Sequence, residues 1–112
     1  MAEQIIVTQR DSGIEISPTF TDKGKNPVNI TGCTVEINFI YPSGDIRVKT
    51  GQIINGAGGV ASTILDSRDT SEAGLVATYW KVIDINSEVT AQEEIYYYVK
   101  EYLGGAAIEE DN

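Results

Sequence analysis

A regular alternation of residue types between two turn signals is the feature that most constrains the fold of this chain. One parity carries large apolar side chains, namely Val35, Ile37, Phe39 and Tyr41. The other parity carries Thr34, Glu36, Asn38 and Ile40. Because successive side chains of a strand point to opposite faces, this period of two predicts a strand with one buried face. Turn signals at 26–27 and 42–44 bound the strand.

Similar segments occur on both sides of this strand, separated by clusters of Gly, Pro, Asn and Asp. They cover 4–9, 14–20, 46–52, Val60–Leu65, 75–82 and 95–99. We expect 4–9 to form an edge strand. Pro18 interrupts the second segment, and because proline cannot donate to a ladder, we expect that strand to lie at an edge or to bulge.

The segment 46–52 follows a tight turn and is expected to form a hairpin with the main strand. Its apolar residues Ile46 and Val48 share one parity, and its basic residues Arg47 and Lys49 share the other. We expect the apolar pair to face the core and the basic pair to face solvent.

The second half of the chain alternates in the same way around its one tryptophan. Four residues are expected on one face of this strand, namely Val76, Thr78, Trp80 and Val82. We expect Trp80 to lie at the centre of the core. The glycine-rich segment 53–59 predicts a turn region, because glycine permits positive φ, and the polar segment 84–92 predicts a loop.

About seven short strands without any helical periodicity predict an all-β fold, an immunoglobulin-like antiparallel β-sandwich. A chain of 112 residues suits one such domain, which we place at 1–103. The remaining residues, 104–112, are rich in Gly, Ala and acids and are expected to form a flexible tail. Cys33 is the only cysteine, so the sandwich has no disulfide and the thiol is expected to pack as a small apolar group.

The charge of the chain excludes several classes of partner. A net charge of −9 disfavours binding to nucleic acid or to an anionic membrane. No basic leader followed by a long apolar run is present, so we expect synthesis in a cytoplasm without a signal peptide. No segment approaches the roughly 18 apolar residues of a membrane span.

The residues that usually carry catalysis are missing or misplaced. The chain has no histidine, which excludes a Ser-His-Asp arrangement and the usual zinc sites. Glu93 and Glu94 are adjacent, and neighbours on a strand point to opposite faces, so they cannot flank one bond. The acids of 66–74 do not have the spacing of a calcium loop. We therefore expect no enzyme activity, no catalytic residues, no cofactor and no metal site.

The tyrosines of the last strand are the candidate binding residues. Ile95, Tyr97 and Val99 are expected to face the core, which directs Tyr96 and Tyr98 outward. Tyrosine is enriched at interfaces because it supplies a large rigid contact area. We take Tyr96, Tyr98 and, further along, Tyr102 as candidate partner-binding residues. The alternative is that the domain itself covers both faces of this strand.

The segment 20–44 runs from an Asp-Lys-Gly turn through Pro27-Val28 and Thr31-Gly32 into a strand that ends at Pro42-Ser43-Gly44. This order resembles the N-terminal domain family of phage upper baseplate proteins, whose members typically show the pattern D-x-x-G-x-P-V-x-L-T-G-A-x-V, followed by a strand and a P-x-G turn. The residues of this chain that fit are Asp22, Pro27, Val28, Thr31, Gly32, Val35 and the turn at 42–44. Ile30 stands in place of leucine and Cys33 in place of alanine, and one extra residue separates Gly24 from Pro27.

The resemblance implies a non-enzymatic virion structural protein whose β-sandwich docks to other virion proteins at the tail or baseplate hub. The capsid is the variant location, and a homo-oligomer is compatible with this role. The chain has no room for the stalk and receptor-binding head of longer members, so the resemblance implies a small adaptor or decoration module in the virion. The alternative from another class is a carbohydrate-binding or adhesive module that stacks sugars on the exposed tyrosines.

Overall fold

The computed structural model of the protein describes residues 5–102, and the predicted tail at 104–112 lies outside the described residues. This part of the chain forms eight strands and no helix. The strands are β1 (Ile5–Thr8), β2 (Ile14–Ile16), β3 (Thr34–Ile40), β4 (Ile46–Thr50), β5 (Gln52–Asn55), β6 (Val60–Leu65), β7 (Gly74–Ile83) and β8 (Val89–Lys100).

The strands form two sheets that pack face to face, so the predicted β-sandwich is confirmed. One sheet has five strands in the order β1-β8-β7-β3-β4, and the other has three in the order β2-β6-β5. Each sheet draws strands from both halves of the chain, as in immunoglobulin-like sandwiches. One strand pair departs from the antiparallel arrangement, because β1 pairs with β8 in parallel at an edge of the larger sheet.

Trp80 lies at the centre of the core, as predicted, with 1% of its surface exposed. Its indole Nε1 donates a hydrogen bond of 2.9 Å to the hydroxyl of Thr78, which donates in turn to the carbonyl of Ile95 at 2.6 Å. The ring of Phe20 packs at a tilt against the indole, with centroids 6.5 Å apart. The polar atom of the tryptophan is therefore satisfied inside an otherwise apolar core.

Three strand boundaries differ from the sequence prediction. The second strand ends at Ile16 rather than continuing to residue 20, because Pro18 cannot donate to a ladder, and only Thr19 makes a single bridge, to Val60. A strand, β5, occupies the start of the predicted turn region. The last strand begins at Val89, so the connection from β7 is shorter than the predicted 84–92.

The short β7–β8 turn is fixed by one carboxylate. Oδ1 of Asp84 accepts the backbone N–H groups of Asn86 and Glu88 at 2.8 and 3.0 Å. Ser87 takes a positive φ of 67°, which completes the reversal. Because the Asp84 carboxylate satisfies the backbone N–H groups of the turn, the turn stays short and both strands extend into the polar segment that the sequence predicted as a loop.

Candidate functional site

Nine apolar or aromatic residues form a continuous band across the outer face of the five-stranded sheet. We call this set the apolar band; its members are Ile6, Ile40, Ile46, Val48, Leu75, Ala77, Tyr79, Tyr96 and Tyr98. The strand registers place its members side by side: Ile6 pairs with Tyr98, Tyr98 with Leu75, Tyr96 with Ala77, Ala77 with Ile40, and Ile40 with Ile46. Six of the nine are between 41% and 65% exposed. A contiguous exposed apolar surface usually marks an interaction site.

The strand β4 contributes to this band because it faces the opposite way from the prediction. Ile46 and Val48 are exposed at 65% and 56%, whereas Arg47 and Lys49 point toward the interior. Since the side-chain period of a strand is two, one choice of parity decides the position of all four side chains. The expectation that the apolar pair faces the core was therefore wrong.

A buried carboxylate, Asp69, decides that parity. It is fully buried in the loop between β6 and β7. Its Oδ1 accepts hydrogen bonds from Arg47 Nη1 at 2.9 Å and from the Tyr41 hydroxyl at 2.8 Å. Its Oδ2 accepts from Lys49 Nζ at 2.8 Å and from the backbone N–H of Asp66 at 3.0 Å. A buried charge needs such partners, so the two cations turn inward and the apolar residues between them turn outward.

The groups around Asp69 form one network that ties the β6–β7 loop to β4 and β8 of the larger sheet. Arg47 also binds both carboxylate oxygens of Asp66, at 3.1 Å each, and this holds the pKa of Asp66 below its ordinary range. The Tyr97 hydroxyl donates to the Asp69 carbonyl at 2.7 Å, and burial raises the pKa of Tyr97. Burial likewise raises the pKa of Tyr41.

These polar groups find their hydrogen-bond partners within the domain. Within residues 5–102, no buried side-chain nitrogen or oxygen lacks a hydrogen-bond partner. The described residues also contain no group of three or more acids or cysteines placed to hold a metal ion. This network was not predicted from the sequence. It could have been indicated by two cations on alternate positions of a short strand, together with a later segment rich in aspartate.

The tyrosines of β8 take the predicted faces. Tyr97 is fully buried, whereas Tyr96 and Tyr98 are exposed at 42% and 41% and belong to the apolar band. Tyr102 is exposed too, but it lies beyond the end of β8, where its backbone N–H donates to the side-chain oxygen of Gln9 at 3.1 Å. The structure therefore brings Tyr96 and Tyr98 into one surface, and Tyr102 is not a member of it.

Tyr96 is linked to a second aromatic ring and to an acid. Its ring meets that of Tyr79 edge to face, with centroids 6.4 Å apart and the two hydroxyl oxygens separated by 3.5 Å. The hydrogen bond to Tyr79, followed by partial loss of hydration and the nearby Glu94 carboxylate, raises the pKa of Tyr96 to about 12. The hydroxyl of Tyr96 thus stays protonated at neutral pH and remains a hydrogen-bond donor.

A shallow groove of about 460 Å³ adjoins the band on the same side of the molecule. Its lining includes Asn38, Tyr79, Lys81, Gln92 and Glu94. Lys81 is paired with Glu36 at 3.2 Å across β3 and β7. The outer face of the sheet thus has an apolar part and a polar part, which is the composition of many protein interfaces.

Comparison with known proteins finds a structural similarity. No family model matches the chain, and no curated protein matches its sequence. The fold is similar to that of the N-terminal domain of phage TP901-1 ORF48, with a TM-score of 0.69 and 10% sequence identity. The match covers 88% of this chain and 85% of that one. The described residues contain no helix that is long and apolar enough to cross a membrane. At this identity, the similarity shows that the two chains share a fold.

Proposed function

We propose that the chain is a non-enzymatic structural protein of a phage virion, a small adaptor or decoration module that docks to other virion subunits. The observation that carries the proposal is the apolar band, which crosses all five strands of one sheet and is left uncovered by the described residues. The fold shared with a phage protein and the sequence resemblance to upper baseplate domains support a location at the tail or baseplate.

The composition of the band suits docking to a protein surface. Tyr96 and Tyr98 supply rigid rings with polar ends, and Leu75, Ile46 and Ile6 supply aliphatic area. Aromatic residues are enriched and charged residues depleted at the centre of interfaces. The net charge of −9 favours a partner whose contact surface is neutral or basic.

The proposal is tested on particles purified from the phage or induced prophage that encodes the chain. Mass spectrometry of these particles should detect the chain at a stoichiometry that matches a symmetric assembly. Cryo-EM of the same particles distinguishes the tail or baseplate from the capsid surface. Absence of the chain from purified particles would overturn the proposal.

Two matched variants test the docking face. Leu75→Glu places a charge in the apolar band, and Ile64→Glu places the same charge on the outer face of the smaller sheet. Leu75 and Ile64 are 51% and 52% exposed, so the two substitutions perturb folding similarly. We expect Leu75→Glu to weaken association with particles at least about tenfold and Ile64→Glu to leave it unchanged. Equal effects of the two variants would contradict docking through the band.

A second candidate function is carbohydrate binding, which the groove beside the band favours. Tyr79 presents ring surface there, backed by its edge-to-face contact with Tyr96. Asn38 and Gln92 present amide groups that can hydrogen-bond to sugar hydroxyls. A glycan array measures this directly, with Tyr96→Ala and Tyr98→Ala as the variants that should lose binding. Absence of binding to every glycan, together with stable association with a virion protein, would remove this candidate.

A further inference from the structure

Strand β8 has an open edge over more than half of its length. It pairs with β7 from Val99 down to Val89, whereas β1 covers it only from Tyr97 to Lys100. Among residues 5–102, no strand lies beside 89–96 on the side away from β7. The length of this segment exceeds that of β1 itself.

The backbone of this segment directs hydrogen-bonding groups into the open space. The carbonyl of Lys100 accepts the N–H of Gln9 at 2.9 Å, so Lys100 directs its backbone groups toward the β1 side. Backbone groups alternate along a strand, and Gln92 and Glu94 share the parity of Lys100. The carbonyl of Ile95 has the other parity and accepts a bond from Thr78 on β7. Gln92 and Glu94 therefore present their N–H and C=O groups to the open edge.

Natural proteins usually protect such an edge, and this one has few of the usual devices. Inward-pointing charges, lysine or proline on the strand, and bulges all discourage strand addition. The β4 edge has inward-pointing cations, Arg47 and Lys49. The segment 89–96 has no proline and no basic residue, its one half-buried charge on the core side is Glu93, and its ladder with β7 shifts only at its start, near Val89. An edge of this length with so little protection is suited to receive a partner strand.

The charges beside this edge identify the kind of strand it fits. The segment carries Glu93 and Glu94, and the preceding turn adds Asp84 and Glu88. A second copy of the chain added through the same edge would bring these carboxylates against their own equivalents, which is unfavourable. A strand with Lys or Arg on one face would instead place cations beside Glu94. Small apolar residues on its other face would extend the interior surface formed by Ala91 and Ile95, which pack against the core.

We propose that the open edge of β8 accepts an extended segment of a partner protein, with basic and apolar residues alternating, by strand addition in line with β1. The proposal rests on the proposed function, because the segment would belong to another virion subunit, and it adds the chemistry by which that subunit is held. The open edge adjoins Tyr96, so one partner can contact both the edge and the apolar band.

The first test uses the full chain and a fluorescent nine-residue peptide in which lysine and valine alternate. Fluorescence anisotropy should show saturable binding that weakens with salt, and a peptide with glutamate in place of lysine should bind at least about tenfold more weakly. N-methylation of the peptide is the sharper probe, because only alternate N–H groups of an added strand face β8. One peptide series is methylated at the backbone nitrogens of valine and the other at the backbone nitrogens of lysine. One of the two series should therefore lose binding and the other should keep it.

Protein variants locate the site. The N–H of Glu94 faces the open edge, so Glu94→Pro removes no bond to β7, and it should reduce peptide binding at least about tenfold while circular dichroism stays unchanged. Ile64→Ala, on the outer face of the smaller sheet, should leave peptide binding unchanged. If Glu94→Pro does not fold, amide hydrogen exchange of the unsubstituted chain replaces it, with slower exchange at Gln92 and Glu94 expected in the presence of peptide.

Several results would overturn the proposal. They are equal binding of the two methylated series, equal binding of the lysine and glutamate peptides, and a concentration-dependent dimer in which the β8 edge is protected from exchange. Peptide binding that occurs only after removal of residues 1–4 would identify the chain's own N-terminus as the occupant. If the chain binds the peptide as expected but is absent from virions, only the proposed function is refuted. If the chain is a virion component but does not bind the peptide, only the edge proposal is refuted.

Discussion

Replacing Asp69 with asparagine tests the buried network with little change in shape. The carboxylate is fully buried and accepts four hydrogen bonds, from Tyr41, Arg47, Lys49 and the backbone of Asp66. The side-chain oxygen of asparagine can keep the two hydrogen bonds that Oδ1 of Asp69 accepts from Tyr41 and Arg47. Its amide nitrogen would then face the ammonium of Lys49 and the N–H of Asp66, so two bonds and both ion pairs are lost.

The magnitude follows from the burial of the partners. Breaking a buried ion pair by removing one partner costs about 3 to 5 kcal/mol, because the remaining charge is left uncompensated. The side chains of Arg47 and Lys49 are 28% and 18% exposed, so water can reach them in part. We therefore expect the lower end of the range, a loss of about 3 kcal/mol in the free energy of unfolding for Asp69→Asn.

Urea denaturation followed by the fluorescence of Trp80, the only tryptophan, measures this loss. Asp45→Asn is the matched control, because Asp45 is exposed and we expect a change within about 0.5 kcal/mol. A double-mutant cycle with Lys49→Met should show coupling of about 1 to 2 kcal/mol, since the two substitutions remove the same interaction. A cost below about 1 kcal/mol for Asp69→Asn, or no coupling to Lys49, would show that the network does not hold β4 in its observed parity.

Three further predictions follow from the packing and the charges. Trp80→Ala should lower the free energy of unfolding by about 3 to 5 kcal/mol in urea denaturation monitored by circular dichroism, and a change below about 1 kcal/mol would place the indole outside the core. Arg47 depresses the pKa of Asp66 in the folded state, so the ionised Asp66 stabilises the fold above about pH 4, and this stabilisation is lost on further acidification. Because Asp66 is half-exposed, Asp66→Asn should remove about 1 kcal/mol or less of the pH dependence of stability. An unchanged pH profile would refute this prediction. Ile46→Lys should change stability by less than about 0.5 kcal/mol, whereas a loss of several kcal/mol would mean that Ile46 faces inward.

The sequence predicted those strands whose buried parity is decided by their own residues. In β3 and β7 one parity carries most of the large apolar residues, Val35, Ile37 and Phe39 in the first and Val76, Trp80 and Val82 in the second, so this parity is the one buried. The exposed positions of Tyr96 and Tyr98 follow in the same way from Tyr97 and Val99. In such strands the local pattern and the tertiary structure agree.

The sequence failed where a distant partner decides the arrangement. The parity of β4 depends on Asp69, about 20 residues later in the chain, and its own pattern of two apolar and two basic residues favours the opposite answer. The parallel pairing of β1 with β8 joins the two ends of the domain and leaves no local signal. The apolar band could not be predicted for the same reason, because it depends on the register between strands that are far apart in sequence.

The proposed function is tested most directly by what the outer face of the five-stranded sheet contacts in an assembled particle. Cryo-EM of purified particles, at a resolution that shows side chains, reveals this contact. We predict that Leu75, Tyr96 and Tyr98 are buried against another virion subunit while Ile64, on the smaller sheet, stays exposed. Particles in which the chain is present but its apolar band faces solvent would contradict docking through this face.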